Sequence, residues 1–524
     1  MNPNPSQSLG NSAAGIASGP VVLEGDFSIA EALAAAFHNL EKGYLPRADT
    51  IFRQILSFQP DNLQALFSSA EIASRLGRGD AAARLVDKII STNPDDPLYH
   101  AYFGGALQAL GMAEEAISAF RQALEIDPDI AEVHCNMGSA LRFIGKIEEA
   151  RAAFGRATEI NPRFALAHSN AGVALKDMGK LDEAVAAYRR AIAIEPGMAL
   201  AHSNLGVALK DLDRLEEAVA SYRRAVEIKP DFADAHCNLG NALKALGKFD
   251  EALAAYRHAI AVKPDFAQPY ANTGAVYIQR GNPQAAVETC DSFHNDHPMD
   301  AGLLTCKGIA LTEMGDREGA RYLFDFDRFI SGYRFGPPGE FANLDAFHDA
   351  LTQHILSHPT LAHEPSNYMT VSGMHSRELL TEPKGPVAHV EEMIKEAVTR
   401  YVNSLPADPD HPFVAGKPAL DKINSWAVVM NRMGHQLPHI HPTGWLTGCY
   451  YVKIPDIVGQ SGSQAGWIEF GEYGPEFGFC QVRPEVKAFL PEEGLMYMFP
   501  SYFYHRTIPF DSEQKRICIA YDVF

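Results

Sequence analysis

The sequence predicts an α + β multidomain chain: an N-terminal all-α superhelix of stacked helix pairs, followed by a β-rich domain with flanking helices. Three observations carry this. A 34-residue period runs through more than half of the chain, and it stops after about residue 333. From Lys422 onward, short β-branched and aromatic runs are separated by Gly, Pro and acidic turn residues.

The period is read from residues that punctuate helices. Prolines fall at 60, 94, 128, 162, 196, 230, 264 and 298, always 34 apart. Gly104, Gly138, Gly172, Gly206, Gly240, Gly274 and Gly308 keep the same step, as do Ala116, Ala150, Ala184, Ala218, Ala252, Ala286 and Ala320. An aromatic stands four residues after the first five of those alanines, from Phe120 to Tyr256. Each unit reads as two antiparallel helices, with Gly and Ala where the helices approach and the aromatic filling the space between adjacent repeats. Proline ends the second helix and forces the turn into the next unit. One helix pair cannot bury its own apolar face, so the units must stack. These residues resemble the tetratricopeptide (TPR) family over roughly 27–332, about nine repeats.

A second ladder carries a functional expectation. Asn136, Asn170, Asn204, Asn238 and Asn272 share one position on the first helix of successive repeats. A row of amides can hydrogen-bond the backbone of an extended peptide, each offering donor and acceptor. The segments AHSNAG and AHSNLG resemble the repeats of O-GlcNAc transferases, where such a ladder holds substrate peptides. The alternative is that these amides only cap or solvate the helix. The parallel His100, His134, His168, His202 and His236 read as packing residues, because partners one repeat apart, roughly 10 Å, cannot share a metal.

At 524 residues the chain exceeds one ordinary domain, and 46% hydrophobic with 21% charged residues is a soluble globular balance. Lys+Arg number 45 against 65 Asp+Glu, a net charge of -20 that argues against nucleic acid and membrane surfaces as partners. Residues 1–26 read as a flexible lead, since no basic start or apolar core marks a signal peptide. Seven scattered cysteines without a CxxC imply free thiols and a cytoplasmic location. Oligomeric state is not legible.

Residues 333–524 form the second expected domain. Phe335-Gly-Pro-Pro-Gly339 reads as a linker, and 341–357 and 386–404 as helices. The runs INSWAVVMN, WLTGCYYVKI, GWIEFGEY, GLMYMFPSYFYHRTI and RICIAYDVF suggest an antiparallel sandwich or barrel. In an extended strand His439 and His441 share a face. His505 follows in FPSYFYHRTIPF, and Arg516 eleven residues later. A turn at Asp511–Lys515 would pair these last strands as a hairpin. Arg516, Cys518 and Ala520 then share one face, and a charge there wants a buried anionic partner. Thr447, Cys449 and Tyr451 alternate onto one face of another strand. His435 and the buried-type Cys449 and Cys518 read as packing residues.

HxH, FPS, a distal His and an Arg in this order resemble the 2-oxoglutarate/Fe(II)-dependent oxygenase superfamily over about 335–524. The resemblance implies a double-stranded β-helix (jelly roll) fold and Fe(II) and 2-oxoglutarate as cofactor and cosubstrate. It makes His439, His441 and His505 the metal ligands. It puts Arg516, Tyr451 and Thr447 at the cosubstrate. One residue departs from the pattern, because His441 stands where the family usually has Asp or Glu. It either ligates iron as a third imidazole, or stands aside for water as in the TPR-bearing aspartyl β-hydroxylases, or marks a site that has lost catalysis. The expected function is a dioxygenase hydroxylating a protein or peptide side chain presented by the TPR groove. The rival is a non-catalytic TPR scaffold with a degenerate oxygenase-like domain. A three-histidine dioxygenase independent of 2-oxoglutarate is favoured by His441 and opposed by Arg516. A glycosyltransferase is disfavoured, since too few residues follow the repeats for paired nucleotide-binding domains.

Overall fold

The computed structural model describes residues 28–76, 78, 81, 84, 85, 88, 89, 95–293, 300–363, 370–381, 383–420 and 422–524. The expected lead at 1–26, and Pro94 and Pro298 of the proline ladder, lie outside these residues. The chain divides into two compact units, one up to Leu212 and one from Asp213 to Phe524.

In the first unit the repeats are helix pairs such as Ala131–Phe143 with Ile147–Ile160 and Ala165–Asp177 with Leu181–Ile194. Each pair turns on a glycine in the left-handed region, with φ of 80° at Gly145 and 73° at Gly179. The periodic aromatics Phe120 and Phe154 are buried in a core that runs through successive repeats. They lie over the periodic glycine of their own repeat: a Cβ on Gly138 would stand 2.7 Å from the Phe154 ring, and one on Gly172 would stand 2.7 Å from Tyr188. Glycine is therefore the receptacle for the ring, and the small side chain and the aromatic form one contact. The histidine row also finds its reason. His134, His168 and His202 reach back through Nε2 to the carbonyls of Pro128, Pro162 and Pro196 at 2.9, 3.0 and 3.2 Å. A proline-terminated helix leaves orphan carbonyls, and these imidazoles satisfy them.

The second unit repeats the device, with His236 Nε2 on Pro230 O at 2.9 Å and the Tyr270 hydroxyl donating to Pro264 O at 3.2 Å. It then adds ten strands: β1 Ser331–Arg334, β2 Ala362–His363, β3 Thr370–His375, β4 Ile423–His439, β5 Leu446–Lys453, β6 Ile468–Phe470, β7 Lys487–Phe489, β8 Leu495–Pro500, β9 His505–Thr507 and β10 Arg516–Val523. Helices Leu344–Leu356 and Val387–Ser404 stand where apolar spacing expects them. The sheet is antiparallel, in the order β1-β8-β5-β10-β4-β9-β6-β7, with β3 also on β4. The expected hairpin between the last two strands does not form. β10 lies between β4 and β5, with Cys518 opposite Val428 on one side and Tyr451 on the other, while β9 pairs with the far end of β4. Buried partners on both sides of β10, Ala427, Val428 and Val429 on β4 and Cys449, Tyr450 and Tyr451 on β5, outweigh the local turn signal.

The core of this unit is continuous. Leu323, Phe326 and Phe329 from the last helices pack with Phe347, Ile394, Tyr450 and Phe503. Buried polar bonds stitch the same region, with Thr305 Oγ1 donating to Tyr502 O at 2.8 Å and the Tyr502 hydroxyl to Leu323 O at 2.7 Å. Phe477 and Tyr504 join Tyr270, Ile278 and Cys306 in a second cluster, so the segment around 475–477 covers part of the last repeats. No described helix is long and apolar enough to cross a membrane, and all seven cysteines are free thiols.

Candidate metal and cosubstrate site

Sequence period places the site residues. Along β10 the alternation turns Arg516, Cys518, Ala520 and Asp522 toward one cavity of about 490 Å³, and the same cavity is lined by Thr447, Cys449 and Tyr451 from β5. His439 ends β4 and stands opposite His505 of β9. His441, two residues past the strand, packs its ring against His439 with centroids 5.3 Å apart, and it is 5.1 Å from the His505 ring. All six residues assigned to metal and cosubstrate from the sequence thus line one cavity. His435 lies elsewhere on β4, its Nδ1 2.9 Å from Met433 O, beside a bulge where Arg432 and Met433 take φ of 34° and 62°.

The three imidazoles offer one ring nitrogen each, all within 4.8 Å of one another. Their Nδ1 atoms are occupied: His439 on Leu437 O at 2.8 Å, His505 on Phe503 O at 3.1 Å, and His441 on Asp522 Oδ1 at 2.6 Å. Carbonyl and carboxylate oxygens only accept, so each Nδ1 carries a proton and each Nε2 is left for another partner. Burial, then the neighbouring His441, pushes His439 down to about 3, and burial with both other imidazoles lowers His505 well below the usual histidine range. Three imidazoles turned toward one another, with an accepting partner behind each, are a donor set that could hold a divalent transition metal.

Asp522 is the functional residue that the sequence reading missed. It is 8% exposed and holds His441 in a carboxylate–imidazole pair, with Thr447 Oγ1 a further 3.1 Å contact on the same Nδ1. Its signal was available, because it is the next residue on the face already assigned to Arg516, Cys518 and Ala520. Trp426 closes the other side, stacked on His441 at 5.6 Å.

Arg516 defines the second half of the cavity. It is 2% exposed, its guanidinium lies 5.0 Å from the Tyr451 ring centroid, and Nη1 reaches only the Cys518 sulfur at 3.7 Å. Its Nε has no hydrogen-bond partner, and none of the ion pairs among the described residues includes it. A buried guanidinium without a carboxylate is costly, so this cavity is built for an anion. The Cys449 thiol donates to the Tyr451 hydroxyl at 3.1 Å and is pushed up to about 12 by burial, which makes it inert.

Among the asparagines, Asn136 is exposed, and Asn170, Asn204, Asn238 and Asn272 are half-buried. Asn170 turns its amide to the Cys135 sulfur at 3.6 Å, and Asn272 donates to Asn241 Oδ1 at 2.8 Å. Those two donors are engaged within the protein.

Comparison with known proteins fits this geometry. Residues 424–522 match the family described as "Putative 2OG-Fe(II) oxygenase". Residues 40–102 and 233–266 match "Tetratricopeptide repeat", and 104–142, 138–179, 172–213 and 208–247 match "TPR repeat". Matches to TPR models thus precede, in one chain, a match to a 2OG-Fe(II) oxygenase model. The oxygenase match runs from β4 to β10 and so includes His439, His441, Thr447, Tyr451, His505, Arg516 and Asp522. Solved structures similar to the chain include MamA (25% identity, 31% of this chain and 94% of that one, TM-score 0.30). YrrB, titled a TPR protein with an unusual peptide-binding site, is 23% identical over 35% of this chain and 95% of its own, at TM-score 0.31. The APC/C hetero-tetramer Cut9-Hcn1 is 17% identical, over 53% and 55%, at TM-score 0.40. No curated protein matches the chain.

Proposed function

We propose that this protein is a 2-oxoglutarate- and Fe(II)-dependent dioxygenase acting on a protein or peptide side chain. One observation carries the reading: three imidazoles with free Nε2 atoms share a cavity with a buried arginine that lacks any carboxylate. His439, His441 and His505 hold the metal. Arg516 takes the far carboxylate of the cosubstrate, and Tyr451, packed against that guanidinium, fixes its direction. Thr447 lines the wall between the two ends and steadies His441 together with Asp522.

Bound Fe(II) and 2-oxoglutarate supply the oxidising power for placing one oxygen atom of O2 on a C–H bond, with succinate and CO2 released. The chain's own part is orientation. Accepting partners behind each imidazole hold the rings in one orientation. Trp426 and His441 form a flat surface where a substrate side chain can rest. The repeats bind the protein partner, with the amides of Asn136, Asn204 and Asn238, and the amide oxygens of Asn170 and Asn272, as backbone contacts for an extended segment. Cytoplasmic residence suits the seven free thiols.

The test is coupled turnover. Purified protein with Fe(II) and O2 should convert 2-oxoglutarate to succinate, faster with a peptide substrate present. His505→Ala and Arg516→Ala should each remove it. A protein that retains metal but consumes no 2-oxoglutarate is a scaffold, and the dioxygenase reading then fails.

A further inference from the structure

Between residues 300 and 524 the sequence holds ten arginines. Five pair with carboxylates: Arg328, Arg334, Arg400, Arg432 and Arg506. The other five, Arg317, Arg321, Arg377, Arg483 and Arg516, have no ion pair among the described residues, and every one lines a cavity. Arg377 and Arg516 belong to the cavity of the three histidines. Arg317, Arg321 and Arg483 line a separate one of about 520 Å³.

This second cavity lies between helix Arg317–Leu323 and the segment from Gly471 to Glu485. Arg317 and Arg321 are four residues apart, so they present their guanidiniums from one helix face. Arg483 comes from the opposite wall. The nearest acids are largely engaged. Asp327 is held by Lys487 and is acted on more weakly by Arg321, and the Glu313 carboxylate accepts from the Val482 amide at 2.8 Å. Glu485 is the one acid on the wall, so three guanidiniums against one carboxylate leave an excess of two positive charges. In a chain of net charge -20 that is a local reversal of sign. Four aromatics, Phe324, Phe326, Tyr473 and Tyr504, share the wall with smaller residues.

We propose that this cavity binds a small phosphate ester with a planar apolar body, of the nucleoside phosphate class. Guanidiniums match phosphate oxygens through paired N–H donors, and an excess of two positive charges calls for a ligand with at least two negative ones. The aromatic wall supplies stacking for the rest of the molecule. The site is back to back with the metal site. Tyr504 lines it, His505 follows on β9, and the Gly471 amide, on the same wall, donates to Tyr504 O at 3.0 Å. Phe470, next to Gly471, packs against the His505 ring at 6.1 Å. An occupant therefore bears on the segment that carries His505.

Isothermal titration of the full-length, metal-free protein at low salt tests this, with ATP and sodium pyrophosphate as probes. ATP should bind one-to-one, more tightly than pyrophosphate, and weaken as salt rises. The Arg317→Gln/Arg321→Gln variant and the Arg483→Gln variant should each lose about tenfold or more in ATP affinity, with unchanged circular dichroism. All three substitutions are at exposed positions, so folding is spared. Failure of wild type to bind either probe, or equal ATP affinity in the variants, overturns the proposal. So does binding of a phosphoserine peptide where ATP does not bind.

Discussion

Asp522 sets the direction of His441, and through it the charge felt at the metal position. Where the oxygenase pattern has a carboxylate, this chain has an imidazole backed by a carboxylate 2.6 Å from Nδ1. The negative charge is moved one residue out. Asp522→Ala is expected to weaken Co(II) or Fe(II) binding 10–100-fold, the range for partners that orient metal-ligating histidines. Asp522→Asn keeps an acceptor on Nδ1 and should fall between wild type and Ala. Metal titration by absorbance of the Co(II) form measures both, and equal affinity in all three proteins contradicts the role. At this scale the sequence was legible wherever the period of two applied. It put Thr447, Cys449 and Tyr451 on one face and Arg516, Cys518 and Ala520 on another, while the resemblance to the oxygenase superfamily implied that these faces meet His439. Asp522 was lost only because the alternation was followed to Ala520 and no further.

The repeat helices decide between two opposing effects of a methyl group. Gly138 and Gly155 lie in the two helices of one repeat. A Cβ at Gly138 meets the Phe154 ring at 2.7 Å, whereas one at Gly155 meets nothing within 4 Å. Alanine gains about 1 kcal/mol in helix propensity at either site. Overpacking against the ring costs about 1–3 kcal/mol. Gly138→Ala should therefore lower the melting temperature and Gly155→Ala should raise it, and thermal unfolding of the pair reads the sign directly. Among the strands, the misplaced hairpin shows where sequence reasoning stops. Asp511–Lys515 is a good local turn, but β10 finds its partners among residues 423–430 and 446–453, and register across a sheet is set by those distant apolar faces. The strand elements also carry a pH signature. Burial pushes His375 down to about 4, and burial with His441 pushes His439 down to about 3, against about 6.5 unfolded. The unfolded chain then takes protons that the folded one refuses. Stability is full above pH 6.5 and falls as pH drops toward 4, by up to about 1.4 kcal/mol per pH unit for His375 alone. The urea midpoint of metal-free protein should be lower at pH 5 than at pH 7; an unchanged midpoint contradicts this.

On the scale of the whole molecule, composition and period reveal two kinds of structure but not how they are joined. The 34-residue step ends near residue 333, yet the core runs through that point. Leu323, Phe326 and Phe329 pack with the oxygenase strands, and the His411 imidazole donates to Tyr322 O at 2.8 Å. No local pattern announces contacts made by residues so far apart. A fragment of residues 333–524 should consequently fail to unfold cooperatively, while residues 213–524 should melt in one transition; calorimetry of the two fragments compares them. The central claim is that metal and dicarboxylate sit side by side in one cavity. Anaerobic titration of the protein with Fe(II) and then 2-oxoglutarate measures it, through the weak visible charge-transfer band that forms only when the cosubstrate chelates the bound metal. The band is expected in wild type, absent in His505→Ala, and absent in Arg516→Ala although that variant still binds Fe(II). A wild-type protein that takes up Fe(II) without developing the band, or an Arg516→Ala variant that develops it at the same 2-oxoglutarate concentration, contradicts the account.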